Sequence, residues 1–222
     1  MSDKKEITKL LSFMATFDGG IYRPGGSKLN AFFRINFSKE NLDYVLWVKE
    51  TLEQITSTQL ADVLETRPGS ENWKPAVRLV SRRHPFLTTL HDRIYIDGKK
   101  VLDLHMLRLL DAEALAIIFM ADGTSFMVKG TSRCILNLCT KGFSEADNLA
   151  LSKAIYDRLN IRSSVKRDGK YFYLSIKSTD ILRFVYLVRP HIKPSFLYKL
   201  ERIAPALEYL TTKYSVEGEP RG

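Results

Sequence analysis

Two apolar segments, each closed by an Asp-Gly pair, constrain this chain more than any other feature of its sequence. The first reads LLSFMATFDGG (residues 10–20) and the second reads ALAIIFMADG (residues 114–123). Apolar runs of this length are typical of buried helices, and the glycine that follows predicts a helix end with a left-handed residue. Asp18 and Asp122 should therefore lie in the last turn of a buried helix.

The end of a helix is an unusual place for an acid, because the helix dipole puts roughly half a negative charge there. Two such ends brought together would form a strongly negative pocket, which a divalent cation would stabilise. The alternative is that both aspartates only cap their helices, but Asp is a poor C-terminal cap. The pattern therefore favours a metal site.

The residues that follow each motif repeat as well. A basic segment with the alternation of a strand comes next, at residues 31–37 and 132–140, and then a helix that opens with a serine. The two aspartates are 104 residues apart and the helix-opening Ser38 and Ser144 are 106 apart. We predict two copies of one αββαββα unit, paired about a pseudo-twofold axis.

Composition limits the class of protein. The 222 residues are 45% hydrophobic, which is enough for packed cores, and the formal net charge of +9 favours a polyanionic partner. The opening MSDKKE is polar, and no apolar run reaches the roughly 18 residues that a membrane span needs. We expect a soluble intracellular protein with no signal peptide or transmembrane segment.

Several kinds of site are excluded. Cys134 and Cys139 are five residues apart on a predicted strand, so they point to opposite faces and suit neither a shared zinc ion nor a disulfide. We expect them to be buried free thiols. The four histidines have no metal-ligand spacing, and the sequence contains no glycine-rich phosphate loop and no nucleophile elbow.

These motifs resemble those of single-chain, two-motif LAGLIDADG homing endonucleases, and most closely the yeast mitochondrial intron-encoded type. The resemblance spans about residues 10–200 and is strongest at AIIFMADG (116–123) and HIKPSFLYKL (191–200). The motif has drifted, since its usual small residue is Ser12 in one copy and Ala116 in the other. Both copies keep the acid and the glycine, which argues against an inactive copy.

The resemblance implies an α+β fold of two pseudo-symmetric αββαββα subdomains with saddle-shaped antiparallel sheets. We expect subdomains at residues 1–97 and 111–222, joined by a linker at residues 98–110. It also implies a monomeric, site-specific endonuclease that hydrolyses both strands of DNA at a long site and leaves short 3′ overhangs. Such an enzyme would be intron-encoded or free-standing and would act in a phage-infected cytoplasm or an organelle matrix.

The resemblance also assigns catalytic residues. Asp18 and Asp122 would each bind Mg²⁺, with Mn²⁺ able to substitute, and the ions would activate water and stabilise the leaving oxyanion. Lysines near the active site of the yeast-type enzyme correspond to Lys199 and to Lys100 or its neighbour Lys99. Such a lysine would order the attacking water or steady the phosphate charge.

A basic sheet face is the expected DNA-binding surface. The clearest strand pair is residues 161–167 and 170–177, joined at Asp168-Gly169, and a twisted antiparallel ribbon fits the major groove. Solvated strand faces carry Lys and Arg in any protein. The candidate DNA contacts are therefore stronger evidence for a DNA-binding face as a group than any one of them is alone. The candidate DNA contacts are Arg23, Lys28, Arg34, Asn36, Arg78 and Arg82 in the first repeat, with Lys129, Arg133, Arg162, Ser164, Lys166, Tyr173 and Lys177 in the second.

Two other functions stay open. The same fold serves as an RNA-binding intron maturase, with intron RNA as its partner, although retention of both acids argues against an exclusive maturase. A DNA-binding protein that does not cleave is the second alternative. Metal-dependent cutting distinguishes the endonuclease from the DNA-binding protein, and binding of intron RNA identifies the maturase.

Overall fold

The computed structural model describes residues 4–24, 29–65 and 73–217, with side chains described as far as Thr212. It divides into two compact units. Unit 1 consists of Met1–Leu109 with Lys193–Ser195, and unit 2 consists of Leu110–Ile192 with Phe196–Gly222.

Unit 1 has the predicted αββαββα order. Its antiparallel sheet has the strand order β1-β2-β4-β3, and a small hairpin of β5 and β6 follows. The elements are α1 (Lys4–Phe17), β1 (Gly20–Tyr22), β2 (Phe32–Ser38), α2 (Leu42–Glu53), β3 (Thr58–Glu65), β4 (Lys74–Ser81), α3 (Pro85–Ile94), β5 (Tyr95–Ile96), β6 (Lys99–Lys100) and α4 (Leu104–Arg108).

Unit 2 repeats the order, with an antiparallel sheet arranged β7-β8-β10-β9 and two additional helices at its end. The α+β class and the two antiparallel sheets are therefore as predicted. The elements are α5 (Ala112–Asp122), β7 (Gly123–Met127), β8 (Cys134–Leu138), α6 (Glu145–Leu159), β9 (Ser163–Asp168), β10 (Tyr171–Ile176), α7 (Ile181–Val188), α8 (Tyr198–Glu201) and α9 (Ala204–Glu217).

The motif helices lie in the cores, as their apolar sequences predict. Every residue from Ala114 to Met120 is fully buried in α5, and Leu11, Phe13 and Met14 are fully buried in α1. A helix that is apolar all round can be stable only where packing covers every face. The C-terminal ends of these helices are therefore held by their surroundings on several sides.

The residues predicted as a linker, 98–110, contain regular structure. They include β6 and α4, and Met106 and Leu107 of α4 are buried in unit 1. The division between the units falls between Leu109 and Leu110. Apolar burial of α4 explains why this segment packs instead of forming an extended connection.

Among the residues that the structure describes, no helix combines the length and the apolar character needed to cross a membrane.

Candidate active site

The glycines of the two motifs do not end their helices in the way the sequence suggests. Gly123 has φ −77° and ψ 142°, and the described glycines with positive φ are Gly98, Gly130 and Gly169. The predicted left-handed cap is therefore wrong. Glycine is needed at position 123 for space, since a Cβ there would lie less than 3.0 Å from the carbonyl oxygen and ring of Phe119.

A lysine holds the end of the first motif helix. Lys100, in β6, donates from Nζ to the carbonyl oxygens of Ala15 (2.9 Å), Thr16 (3.1 Å) and Gly19 (2.7 Å). An ammonium group has three donors, so these three carbonyls can engage all of them. Asp18 follows this helix directly, and its backbone N–H donates to the Met14 carbonyl over 3.1 Å.

Unit 2 has the same arrangement. Lys199, in α8, is 8% exposed and donates from Nζ to the carbonyl oxygens of Phe119 (3.1 Å) and Met120 (2.6 Å). These carbonyls lie three and two residues before Asp122, the same positions that Ala15 and Thr16 hold before Asp18. The sequence repeat therefore extends to the contacts of each helix end.

These lysines explain how an acid is tolerated at a helix end. The ammonium group opposes the negative end of the helix dipole and donates to carbonyls of the last turn. Of the two alignments that the sequence allowed, Lys100 occupies this position, whereas Lys99 is exposed on the β5–β6 hairpin.

Tyr44 is the neighbour of Asp18 that sequence reasoning missed. Its hydroxyl, on a fully buried side chain at the start of α2, donates to Asp18 Oδ2. Burial raises the pKa of Tyr44 well above its ordinary value, and the Asp18 charge and hydrogen bond raise it further. An aromatic residue on an amphipathic helix is usually a core residue, so the sequence carried no signal for this contact.

Asp122 has different neighbours. The Cys139 N–H donates to the Asp122 carbonyl oxygen over 2.7 Å. Burial raises the pKa of the Cys139 thiol and the Asp122 carboxylate raises it further, while Lys141 and Lys199 oppose this change. Cys134 and Cys139 are both free, as predicted, but only Cys134 is buried, and Cys139 is half-buried.

The donor set at each helix end fits a divalent cation whose coordination is completed by other ligands. Within the described part of the chain there is no cluster of three or more His, Cys, Asp or Glu side chains suited to a metal. Each helix end therefore offers one carboxylate, next to backbone carbonyls that already accept from a lysine. Mg²⁺ commonly takes one or two carboxylates, keeps several waters and accepts substrate phosphates.

In unit 1, three predicted DNA contacts share the outward face of the sheet. Arg34 and Asn36 alternate with buried Phe33 and Ile35 on β2, and Asn36 pairs with Arg78 on β4. Arg78 Nε donates to Asn36 Oδ1 over 3.1 Å. The polar residues of this face are thus half-buried and linked to each other.

Two further residues of this face carry contacts that sequence analysis did not identify. Asn36 Nδ2 donates to the Glu65 carboxylate on β3. The Arg34 guanidinium lies 4.3 Å from the centre of the Tyr22 ring, which fits a cation–π contact. The face is therefore a polar network with one acid in it.

In unit 2, Ser164, Lys166 and Tyr173 lie on the same face of the β9–β10 pair, since Tyr173 pairs with Lys166 and Ser175 with Ser164. The hairpin turn occupies Gly169 and Lys170, one residue later than predicted, with Gly169 at φ 59°. Other candidates lie at the ends of strands: Lys129 and Arg133 between β7 and β8, and Lys177 directly after β10.

The remaining predicted DNA contacts differ in the interactions that their side chains already make within the protein. Arg23 pairs with Asp92 over 3.1 Å, and Arg162 pairs with Asp180 over 2.7 Å, so both guanidinium groups are already held by acids. Arg82 is exposed directly after β4. Lys28 lies outside the described residues.

Two αββαββα repeats, each with a carboxylate at the end of its first helix and polar residues on its outward sheet face, form the architecture expected of the homing-endonuclease fold. The chain belongs to the LAGLIDADG DNA endonuclease family, whose model matches residues 18–184. The predicted family is therefore confirmed.

Two curated relatives match over part of their length. A protein RecA of Mycolicibacterium flavescens is 28% identical over 214 residues, which cover 90% of this chain and 47% of that protein. The cytochrome b mRNA maturase bI2 of Debaryomyces hansenii is 35% identical over 115 residues, 50% of this chain and 41% of the maturase. The chain thus spans less than half the length of these relatives.

Solved structures share the fold. The homing endonuclease I-WcaI bound to its DNA recognition sequence has a TM-score of 0.77 at 19% identity, covering 90% of this chain and 88% of that one. The crystal structure of I-DmoI in complex with DNA and Mn has a TM-score of 0.52 at 16% identity, covering 84% and 97%. At these identities the similarity establishes the fold alone.

Proposed function

We propose that this protein is a site-specific endonuclease that hydrolyses both strands of double-stranded DNA with a divalent metal, Mg²⁺ or Mn²⁺, and leaves short 3′ overhangs. The observation that carries the proposal is the matched pair of helix ends. In each repeat a lysine holds the carbonyls three and two residues before an aspartate. An acid at the C-terminal end of a helix is unfavourable, so a purely structural role would not explain an aspartate at this position in both repeats.

Asp18 and Asp122 are proposed to hold one divalent ion each, together with DNA phosphates. A bound ion would polarise the scissile phosphate and lower the pKa of the attacking water. Because one chain carries both repeats, it supplies one aspartate for each DNA strand. This supports a monomeric enzyme made of the two proposed subdomains, residues 1–97 and 111–222.

Lys100 and Lys199 are proposed to serve the same reaction. Their hydrogen bonds to carbonyl oxygens support a role in fixing each helix end and countering its dipole beside the carboxylate. Ordering of the attacking water or contact with phosphate, as the family resemblance implies, would require the ammonium group to share or leave a carbonyl. Both roles need a permanent positive charge at this position.

The outward sheet faces are proposed to bind DNA. Side chains on a ribbon in the major groove can reach base edges while other cations contact phosphates. Arg34, Asn36 and Arg78 in unit 1 and Ser164, Lys166 and Tyr173 in unit 2 are the best supported, because each set shares one face. Arg23 and Arg162 would have to exchange an acid for DNA. Lys28, Arg82, Lys129, Arg133 and Lys177 complete the proposed contacts.

An RNA-binding maturase is the second candidate function. It is favoured by the 35% identity to a cytochrome b mRNA maturase over half of the chain. Intron RNA would then be the partner, and both aspartates would be dispensable. In a DNA-binding protein that does not cleave, both aspartates would also be dispensable.

The test is cleavage of a randomised duplex library with Mg²⁺, run beside Asp18→Asn and Asp122→Asn. We expect double-strand cuts at one long site, and we expect each variant to abolish them while it still binds the duplex. Asp157→Asn, on the exposed surface of α6, is the matched control and should cut normally. Binding without cutting that neither substitution changes would contradict the proposal and favour the maturase or the non-cleaving protein.

A further inference from the structure

The contact between Tyr44 and Asp18 distinguishes the two repeats. The phenol of Tyr44 is fully buried and its hydroxyl donates to Asp18 Oδ2. The ring is fixed by two aromatic neighbours, with its centre 5.3 Å from that of Phe37 and 5.8 Å from that of Trp47. A donor held this firmly restricts the directions that the carboxylate can adopt.

This hydrogen bond leaves the carboxylate able to bind a metal. An ionised carboxylate has about four acceptor sites on its two oxygens, and one hydroxyl uses one of them. Carboxylates that bind metals are commonly oriented by such a partner, whose loss lowers metal affinity or activity by about 10–100-fold. We propose that Tyr44 is a positioning residue that orients Asp18 for its divalent ion, an inference that rests on the proposed endonuclease function.

The second repeat has no phenol at the matching position. The spacing of the two aspartates matches Tyr44 to Asn148, and the spacing of the two serines matches it to Ala150. Asn148 is bound locally, where it donates to the Ser144 carbonyl over 2.9 Å and accepts from the Thr140 hydroxyl. Loss of the Tyr44 hydroxyl should therefore affect the half-site of Asp18 and spare that of Asp122.

The first measurement is strand-resolved cleavage by Tyr44→Phe. The substrate is the duplex selected from the library, with each strand labelled separately, over a series of Mg²⁺ concentrations. We expect one strand to be cut about tenfold more slowly and to need more Mg²⁺, with the other strand cut at the wild-type rate. Nicked duplex should then accumulate. Equal rates on both strands with unchanged Mg²⁺ dependence would overturn the inference.

The second measurement is independent of turnover. Binding of Mn²⁺ to the protein with the cut duplex is followed by electron paramagnetic resonance of the free ion. We expect two sites in the wild type and about tenfold weaker binding at one of them in Tyr44→Phe. Two sites of wild-type affinity in the variant would contradict the proposal.

Thr51→Val is the matched control for loss of a buried hydroxyl. Thr51 lies on the same helix, is 2% exposed and donates to the Trp47 carbonyl over 2.9 Å. We expect this variant to cut both strands at the same Mg²⁺ concentration as the wild type. A strand-specific loss in Thr51→Val would show that any disturbance of α2 suffices, and it would overturn a specific role for Tyr44.

A double-mutant cycle separates action through Asp18 from a general loss of folding. In the Asp18→Asn background, Tyr44→Phe should cause no further change in Mn²⁺ binding, because the charged carboxylate that Tyr44 is proposed to orient is absent. An additional loss of binding would contradict the proposal. Failure of the wild type to cut any duplex would instead refute the endonuclease function itself, so the two failures are distinguishable.

Discussion

Arg162, a predicted DNA contact, also forms part of the fold. Its backbone N–H and Nε donate to Asp180 Oδ2 over 2.7 and 2.8 Å, and a terminal nitrogen donates to Oδ1 over 2.7 Å. The hydrogen bond from Arg162 lowers the pKa of Asp180 from 3.8 to about 2. This pair secures the turn between β10 and α7.

The low pKa of Asp180 makes its contribution to stability depend on pH. A lowered pKa in the folded state means that the stabilisation is present above about pH 4 and is lost as the pH falls towards 2. We expect Asp180→Asn to lower the free energy of unfolding by on the order of 1–2 kcal/mol at pH 6, after allowance for solvent screening. The difference from wild type should roughly halve by pH 3.

Urea unfolding at pH 6 and pH 3 measures this difference. Asp157→Asn is the control, since Asp157 pairs with Lys153 on an exposed face of α6 and should contribute less than about 0.5 kcal/mol. A difference between Asp180→Asn and wild type that stays constant from pH 6 to pH 3 would contradict the assignment.

At the scale of elements, the two repeats differ in how their second helices begin. Ser144 caps α6: its hydroxyl accepts from the Asp147 N–H over 3.1 Å, and Asp147 Oδ2 accepts from the Ser144 N–H over 3.1 Å. Ser38 precedes a short 3₁₀ turn (Lys39–Asn41) and makes no side-chain capping bond to the described residues. The corresponding serines therefore differ in role: Ser144 caps an α-helix, whereas Ser38 precedes a 3₁₀ turn without capping it.

This difference predicts unequal effects of one substitution. Ser144→Ala should lower the free energy of unfolding by about 1 kcal/mol, because it leaves an N–H at the start of α6 without its acceptor. Ser38→Ala has no capping bond to lose and should cost less than about 0.5 kcal/mol. Chemical denaturation of both variants measures the two values, and equal losses would show that the cap contributes little.

For the whole molecule, the net charge of +9 favours the proposed DNA binding. A protein that makes 6–10 phosphate contacts releases counterions and loses about 10³–10⁵ in affinity between 50 and 200 mM salt. We expect a loss of this order for the selected duplex, measured by fluorescence anisotropy. An affinity that is independent of salt would contradict a phosphate-contacting sheet face.

Two single-charge variants localise this effect. Lys166→Gln, on the outward face of β9, should reduce the slope of log affinity against log salt by about one. Lys153→Gln removes the same charge from exposed α6 and should leave the slope unchanged. Equal effects of the two variants would indicate that net charge alone, without a defined face, determines binding.

The sequence alone determined the repeat, most elements and the two acids that are proposed to bind metal. Alternation of Arg34 and Asn36 with Phe33 and Ile35 fixes a two-faced strand, and an apolar run such as residues 114–120 can only be buried. Such patterns can be read from short segments, because the periodicity of a strand or helix depends only on residues that are close in sequence. The matched aspartates could be found for the same reason, since each follows its own apolar run.

The tertiary structure decided the contacts between residues that are far apart in the chain. Lys100 reaches carbonyls 81–85 residues away, Tyr44 reaches Asp18 across 26 residues, and Arg162 is taken up by Asp180. Side-chain hydrogen bonds of this kind depend on how helices pack against a sheet, and no periodicity records that packing. The sequence by itself therefore determined the two matched aspartates and the candidate lysines, and only the folded chain added Tyr44 and decided which partner holds each group.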